Sequence, residues 1–346
     1  MFEHLDDPRP PAFGAGARHA VVRRAHRRRR RQLAGGMGVA AAALVAGAGG
    51  LYGRAAWRAG HIDRVDVAST GPVADGEPVT FLVRGVDGGT EPGGEGGRSD
   101  TLLLARLDPA AGTASVLSVP RDLLVREAAS GTRVRINQLP VDRQVSAVES
   151  QLGVPVDHVV EVDFAGFQAL VERAGGVRVR VDAPVRDRLT GLYIDEPGCV
   201  TLGGEQALAL VRSRHTEVLD AAGRWVEDPM ADLARTSLQR AVLVAALADL
   251  SGRVDPISAD RLAGWAAEHL TLDDSLGTDE LVDLARYVLA LDPAAVTEML
   301  LPVVPSPEDA NRLDVDPAAG PPAIDAFREG TSLPEQPGDP SPIAAC

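Results

Sequence analysis

Three short stretches of the chain carry residue types suited to phosphate chemistry. Asp87 closes the run VTFLVRGVD, Arg98-Ser99-Asp100 opens the run RSDTLLLARL, and Pro120-Arg121-Asp122 follows TASVLSV. Carboxylate oxygens bind a hard cation such as Mg²⁺, one or two of them alongside the phosphates of a substrate, and the guanidinium fork of arginine meets phosphate oxygens two at a time. Three carboxylates and two guanidiniums in one place would therefore hold a metal-bound pyrophosphate. Scattered, the same residues are ordinary solvated charges at strand ends. What decides between the two is the set of elements that carries them.

Residues 79–86 and 101–107 are rich in Val, Leu and Phe and are bounded by turn residues, which predicts two strands. Asp108-Pro109-Ala110-Ala111-Gly112 reads as a hairpin connection, and 113–119 alternates small or polar with apolar residues as a returning strand does. If the three are consecutive antiparallel neighbours, all three charged stretches lie at one edge of a sheet. The loop before Arg98 holds Gly88, Gly89, Gly93, Gly94, Gly96 and Gly97, and a backbone that free can admit a bulky ligand.

Further along, 133–137 (RVRIN) is followed by a helical pattern over 141–152 that Gly153 and Pro155 stop. Residues 157–162 predict a strand, 164–173 an amphipathic helix with Phe164, Phe167, Leu170 and Val171 on one face, and 177–181 (VRVRV) another strand. This β-α-β succession implies a mixed α/β domain. A short helix over 203–211 gives way to Arg212-Ser213-Arg214-His215, where an extended backbone points both arginines at one face. A polar loop follows. The longest helix is expected over 230–250, with Asp232, Arg235 and Gln239 along one stripe. Helices over 259–269, 278–291 and 320–328, a strand over 296–304, and a frayed Pro-rich tail over 331–346 complete the reading. His158 and His215 are expected to be structural or exposed; beside Arg214, His215 could touch substrate, but so much positive charge argues against a proton-transfer role.

All 35 basic residues of the 346 are arginine, and the net charge of −14 is unevenly placed. Residues 1–59 hold 11 arginines against Glu3, Asp6 and Asp7, whereas the remainder holds 24 against 46 acidic residues. The main domain therefore lacks the basic footprint of a nucleic-acid binder. Arg27 to Arg31 directly precede the uncharged Gly- and Ala-rich run 33–53, about the length that crosses a bilayer. The positive-inside rule makes this a single N-in anchor with an extracytoplasmic domain; a cleaved or twin-arginine export signal is the alternative. The organisation expected is a basic tail over 1–32, the anchor over 33–53, a linker over 54–76, a catalytic domain over 77–330 and a tail over 331–346. Two cysteines, Cys199 and Cys346, suit an oxidising exterior, with two independent thiols the default expectation.

Several blocks together resemble the LytR-CpsA-Psr family of cell-wall glycopolymer ligases. They are the Asp87 turn, Arg98-Ser99-Asp100-Thr101, Ser118-Val119-Pro120-Arg121-Asp122, Arg135-Ile136-Asn137, Val160-Glu161-Val162-Asp163-Phe164, Gly175-Gly176-Val177, Leu202-Gly203-Gly204-Glu205-Gln206-Ala207-Leu208 and Val211-Arg212-Ser213-Arg214-His215. The resemblance implies a mixed central β-sheet flanked by helices on both sides, after one transmembrane helix. It implies transfer of a glycopolymer-phosphate, such as teichoic acid or arabinogalactan, from a polyprenyl-pyrophosphate carrier to a peptidoglycan hydroxyl outside the plasma membrane, assisted by Mg²⁺ (or Mn²⁺), with pyrophosphatase side activity.

By position, Asp87 and Asp100 match the family's metal-holding carboxylates, and Arg98, Arg121, Arg212 and Arg214 match its pyrophosphate-binding, catalytic arginines. Gln206, Arg235 and Gln239 match further pyrophosphate-binding positions. Asp122 and Asp232 are the candidate bases, while Phe164, Phe167, Leu233, Val242 and Leu243 are candidates for an apolar lipid slot. Leu238, followed by Gln239 and Arg240, stands where the family often has another arginine. A binding or regulatory protein without turnover is the other reading.

Overall fold

The architecture was read from a computed structural model, which describes residues 62–67, 76–86, 99–227, 264–309, 311–332 and 343–345. The apolar runs do form strands. β1 (Asp63–Val65), β2 (Val79–Val86), β3 (Ser99–Asp108) and β4 (Thr113–Ser118) are followed by the short pair β5 (Leu124–Arg126) and β6 (Arg133–Arg135) and by helix α1 (Val141–Ala147). Next come β7 (His158–Asp163), α2 (Phe164–Ala174), β8 (Val177–Val181), β9 (Val185–Asp187), β10 (Leu192–Ile194), β11 (Gly198–Leu202), α3 (Gly204–Arg212), β12 (Glu217–Leu219) and β13 (Trp225–Glu227). The last elements are β14 (Leu270–Asp273), α4 (Thr278–Ala290), β15 (Val296–Leu300), β16 (Val303–Pro305), β17 (Leu313–Val315), α5 (Gly320–Glu329) and β18 (Ile343–Ala345).

Seven strands make the central sheet in the order β1-β14-β7-β2-β3-β4-β15. β2, β3 and β4 are consecutive antiparallel neighbours, while β7 runs parallel to β2 and β15 parallel to β4, so the sheet is mixed. Successive side chains leave opposite faces of a strand, so both faces of β2 must be covered. Leu82 packs with Leu104, Leu117 and Val145 of α1 and Phe327 of α5 on one face; Phe81 packs with Leu107, Leu272 and Leu284 of α4 on the other. A third cluster joins α2 and α3 to β8, β9 and β10. The mixed α/β fold with helices on both sides is thus as expected.

Some expectations are corrected. The helix expected over 141–152 turns π-helical at Val148–Leu152 before Gly153, whose φ of 62° ends it, and a 3-10 turn over Ile136–Gln138 precedes it. The expected strand over 296–304 breaks ahead of Val303, because Pro302 has no N–H to donate to a ladder; β15 pairs with β4 and β16 with β17. The polar loop after His215 contains the hairpin β12–β13, part of a four-stranded sheet ordered β10-β9-β12-β13. Within the tail expected to fray, β18 pairs with β8, which supplies the backbone partners that its composition does not advertise. Cys199 is disulfide-bonded rather than a free thiol, and the chain's other cysteine is Cys346. Among the described residues no helix is long and apolar enough to cross a membrane; the expected anchor over 33–53 and the expected helix over 230–250 lie outside them.

Candidate functional site

The antiparallel order places the end of β2, the start of β3 and the end of β4 at one edge. Val86 pairs with Ser99, and the register shifts between Gly85 and Val86, so that Asp100 is the extra residue of a β-bulge between two paired neighbours. Bulges of this kind recur beside active sites because they re-aim the chain. Gly85 packs closely there: a Cβ on it would lie 3.0 Å from Cβ of Thr101 across the ladder, so the Thr101 side chain would have to give way. Asp87 and Arg98 lie outside the described residues, as does the side chain of Asp100.

A cavity of about 370 Å³ opens at this edge. Its walls are apolar, with Val83 and Leu103 from the sheet, Phe164 and Phe167 from α2, and Leu208 and Val211 from α3. Its lining also carries the polar residues Thr101, Asp163, Asp187, Thr190, Arg212, Arg214 and His215. The helices that frame it are held close. A Cβ on Gly204 would come within 2.6 Å of the Gln168 carbonyl oxygen, so only glycine lets α3 start against α2, and its N–H donates to Glu172 Oε1 at 2.6 Å. Asp163 caps α2 by accepting from the Gly166 N–H at 2.6 Å.

Asp187, which the sequence reading passed over, organises the arginine segment. It is 1% exposed and accepts from Ser213 Oγ at 2.7 Å and from the N–H groups of Arg214 and His215, both at 3.1 Å. The N–H groups of Leu189 and Thr190, at 2.8 and 3.4 Å, complete its shell. Burial opposes the charge, but these hydrogen bonds hold the carboxyl below its usual range. The lining thus carries two guanidiniums, Arg212 and Arg214, beside the two carboxylates. Arg212 lies over the Phe164 ring, its guanidinium carbon 4.8 Å from the centroid, which fixes a cation against the apolar wall.

Other expected site residues fall elsewhere. Arg121 follows β4, its carbonyl accepting from the Asn137 N–H at 3.3 Å. Asp122 sits between two guanidiniums, Arg135 Nη1 at 3.1 Å and Arg121 Nε at 3.4 Å. Gln206 turns to the β9–β10 hairpin, accepting from the Tyr193 N–H at 3.1 Å and donating to the Gly191 carbonyl at 3.4 Å. Asp232, Arg235 and Gln239 lie outside the described residues, as do Leu233, Val242 and Leu243, whereas Phe164 and Phe167 both line the cavity. Among the described residues no group of three His, Cys, Asp or Glu is placed to hold a metal.

Two buried ionic groups brace the same sheet, Arg84–Glu161 within it and Asp273–His158 at the edge opposite Val86 and Ser99. Arg84 pairs with Glu161 across β2 and β7, and burial lowers the arginine pKa to about 10. Asp273 at the end of β14 accepts from the Val159 N–H at 2.9 Å and faces His158 Nδ1 at 3.2 Å, while Glu280 of α4 lies 3.4 Å from His158 Nε2. Burial alone would push the His158 pKa down, but Asp273 and Glu280 raise it, and the Asp273 carboxyl is held far below its usual range despite its burial.

The sequence model of the LytR_cpsA_psr family matches residues 55–316. The chain belongs to the LytR_cpsA_psr family. A relative from Bacillus cereus, the polyisoprenyl-teichoic acid–peptidoglycan teichoic acid transferase TagU, is 34% identical over 179 residues, 51% of this chain and 53% of that protein. The chain thus spans about half the length of the curated relatives it matches. The solved LytR-Csp2A-Psr enzyme from Actinomyces oris superposes with a TM-score of 0.65 at 30% identity, covering 78% of this chain and 96% of that one. The family protein YwtF (TagT), solved with bound octaprenyl pyrophosphate lipid, shares the fold at a TM-score of 0.54 and 21% identity, covering 77% of this chain and 99% of that one.

Proposed function

We propose that this protein is a phosphotransferase that moves a glycopolymer-phosphate from a polyprenyl-pyrophosphate carrier to a peptidoglycan hydroxyl. The observation that carries the reading is the cavity itself, a mainly apolar slot whose lining also includes Arg212 and Arg214. An isoprenoid chain needs the first and a pyrophosphate the second, and few other ligands need both. The name of the Bacillus cereus relative and the octaprenyl pyrophosphate held by the fold neighbour support it.

Phosphoryl transfer asks a protein chiefly to position groups and neutralise charge. Arg212 and Arg214 would bind the pyrophosphate oxygens from the α3 side; Arg98 and Arg121, at the ends of the strands, would reach them from the sheet edge. Arg235 and Gln239 are proposed for the same site. Asp87 follows Val86 in sequence and Asp100 adjoins Ser99, the residue paired with Val86, so these carboxylates would hold Mg²⁺ or Mn²⁺. The metal, when bound, would withdraw charge from the pyrophosphate as a Lewis acid. With the anchor over 33–53 in the plasma membrane, the domain would face outward, where carrier and peptidoglycan meet; water in place of the acceptor would give pyrophosphatase side activity.

The test uses the full-length chain in detergent with a glycosyl-pyrophosphoryl-prenol donor and peptidoglycan strands. Metal-dependent release of prenyl monophosphate, lost in Asp100→Ala and Arg121→Ala, is expected. Tight donor binding without turnover, with either metal and with acceptor present, would overturn it and leave a binding or regulatory protein.

A further inference from the structure

Transfer to a hydroxyl needs a group that takes the hydroxyl proton, and the expected candidates are poorly disposed among the described residues. Asp122 has a guanidinium on each side, which leaves both its oxygens engaged. We propose that His215, oriented by Glu227, is the general base for the incoming hydroxyl; the assignment rests on the phosphotransfer reading above.

Three observations converge. His215 lines the cavity next to the two arginines that would hold the pyrophosphate. Its ring Nδ1 lies 2.8 Å from Glu227 Oε1, and its backbone N–H is anchored on Asp187 at 3.1 Å. Its side chain is 59% exposed and that of Glu227 62%, so a polymeric acceptor can reach the pair from solvent while the donor occupies the apolar slot. The hairpin explains the arrangement. Pairing of β12 with β13 sets Glu227 opposite Glu217, two residues beyond His215, and so returns a carboxylate to the arginine segment 12 residues later.

The chemistry follows from which nitrogen carries the proton. A carboxylate at Nδ1 accepts a hydrogen bond from it, so the neutral ring keeps its lone pair on Nε2. This is the logic by which a buried aspartate sets the tautomer of a catalytic histidine in serine hydrolases. Among the described residues Glu227 meets the ring, and Arg212, Arg214 and Asp187 line the cavity with it. Arg212 and Arg214 on its own segment favour the neutral, proton-accepting form; Glu227 on β13 offsets their opposition once the proton arrives; Asp187 on β9 is already satisfied by its donors. Glu217 on β12 is engaged elsewhere, by Arg186 Nε at 2.6 Å and Arg188 Nε at 3.5 Å.

In the step proposed, the acceptor oxygen forms a bond to the glycan-bearing phosphorus as its proton passes to Nε2. The bond from that phosphorus to the bridging oxygen breaks, and prenyl monophosphate leaves with the electron pair. A glycan phosphodiester remains on the acceptor, and the imidazolium returns its proton to solvent.

The experiment compares wild type, His215→Gln, His215→Ala and Glu227→Gln as full-length chains. It uses N-acetylglucosaminyl-pyrophosphoryl-geranylgeraniol as donor and uncrosslinked peptidoglycan strands as acceptor, with donor Kd measured separately. We expect kcat for transfer to fall about 10²–10³-fold in H215Q with donor Kd within twofold, the usual scale for losing a general base. The acidic limb of the kcat–pH profile should vanish in H215Q, and added imidazole should restore part of the rate in H215A. In E227Q kcat should fall about tenfold and the acidic limb move to lower pH, because a carboxylate beside the imidazolium has been removed. An H215Q rate within threefold of wild type overturns the assignment. So does a loss that comes with weakened donor binding, an intact acidic limb and no rescue by imidazole, which marks a positioning role. Absence of turnover in the wild type overturns the phosphotransfer reading itself, whatever the variants do.

Discussion

Asp187 and Asp273 are both buried carboxylates supplied with several donors, yet they serve different ends. Asp187 draws its donors from neutral groups: the Ser213 hydroxyl and the N–H groups of two loops, one carrying Arg214 and His215 and the other Leu189 and Thr190. Asp273 draws on an ionisable partner, His158, along with Ser275 and the Val159 N–H, and binds β14 to β7 within the sheet. The first carboxylate shapes loops at the cavity wall and the second clamps strands. A buried charge thus stabilises or positions according to what its donors are attached to.

Breaking the two should separate these roles. Asp187→Asn replaces an acceptor of five donors by an amide that can accept at one atom only, so Arg214 and His215 lose their backbone anchor. Transfer activity should fall on the order of 100-fold, the scale of a small misplacement of catalytic groups, measured as kcat/KM with the fold monitored by circular dichroism. Activity near wild type would show that the arginine segment is held by other means. Asp273→Asn should instead cost about 3–5 kcal/mol in denaturant unfolding, as expected when one partner of a buried pair is removed, with kcat per folded molecule unchanged.

The comparison sharpens with pH. Asp273 and Asp187 have depressed pKa values, so their contributions are fully present above the unfolded aspartate value of about 3.9 and are lost as pH falls through the folded values. His158 is raised, so its contribution is present below about 6.5, the unfolded value, and is lost as pH rises through the folded one. Urea unfolding from pH 2 to 9 should therefore show a maximum of stability between these limits, and D273N should flatten both flanks where D187N flattens only the acid one. The smallest effect expected is that of Tyr287→Phe. Its hydroxyl donates to the carbonyls of Asp108 and Thr113 at 2.9 and 2.8 Å, far in sequence from either carboxylate, and its loss should cost about 1 kcal/mol with no change in transfer.

The legibility of the sequence follows the range of the interactions. β2, β3, β4, α2 and β8 were readable because each has its own period and its own stop signals, and the antiparallel pairing of β3 with β4 follows from a tight connection. The hairpin β12–β13 and the strand β18 were not, since each is short and polar or Pro-flanked and exists through backbone pairing to distant partners. Phe164, Phe167, Arg212 and Arg214 could be singled out by residue type and spacing, and all four reach the cavity. Gln206 was expected at the pyrophosphate by its place in a motif block, but its amide reaches the β9–β10 hairpin, a partner no local pattern could name. Asp187 left only a turn signal, an aspartate four residues before Gly191; its bond to Ser213 spans 26 residues.

By itself the sequence determined the α/β class, the family, the arginine segment after α3 and the apolar faces that meet it. These rest on local periodicity, covalent order and the chemistry of side chains, all of which are properties of neighbours along the chain. Tertiary structure decided which carboxylate anchors the arginine segment, which one clamps the sheet, and that Glu227 stands beside His215. Those are matters of which donors and acceptors meet once the strands have paired, and a buried polar group takes whatever partner the fold brings within reach of a hydrogen bond.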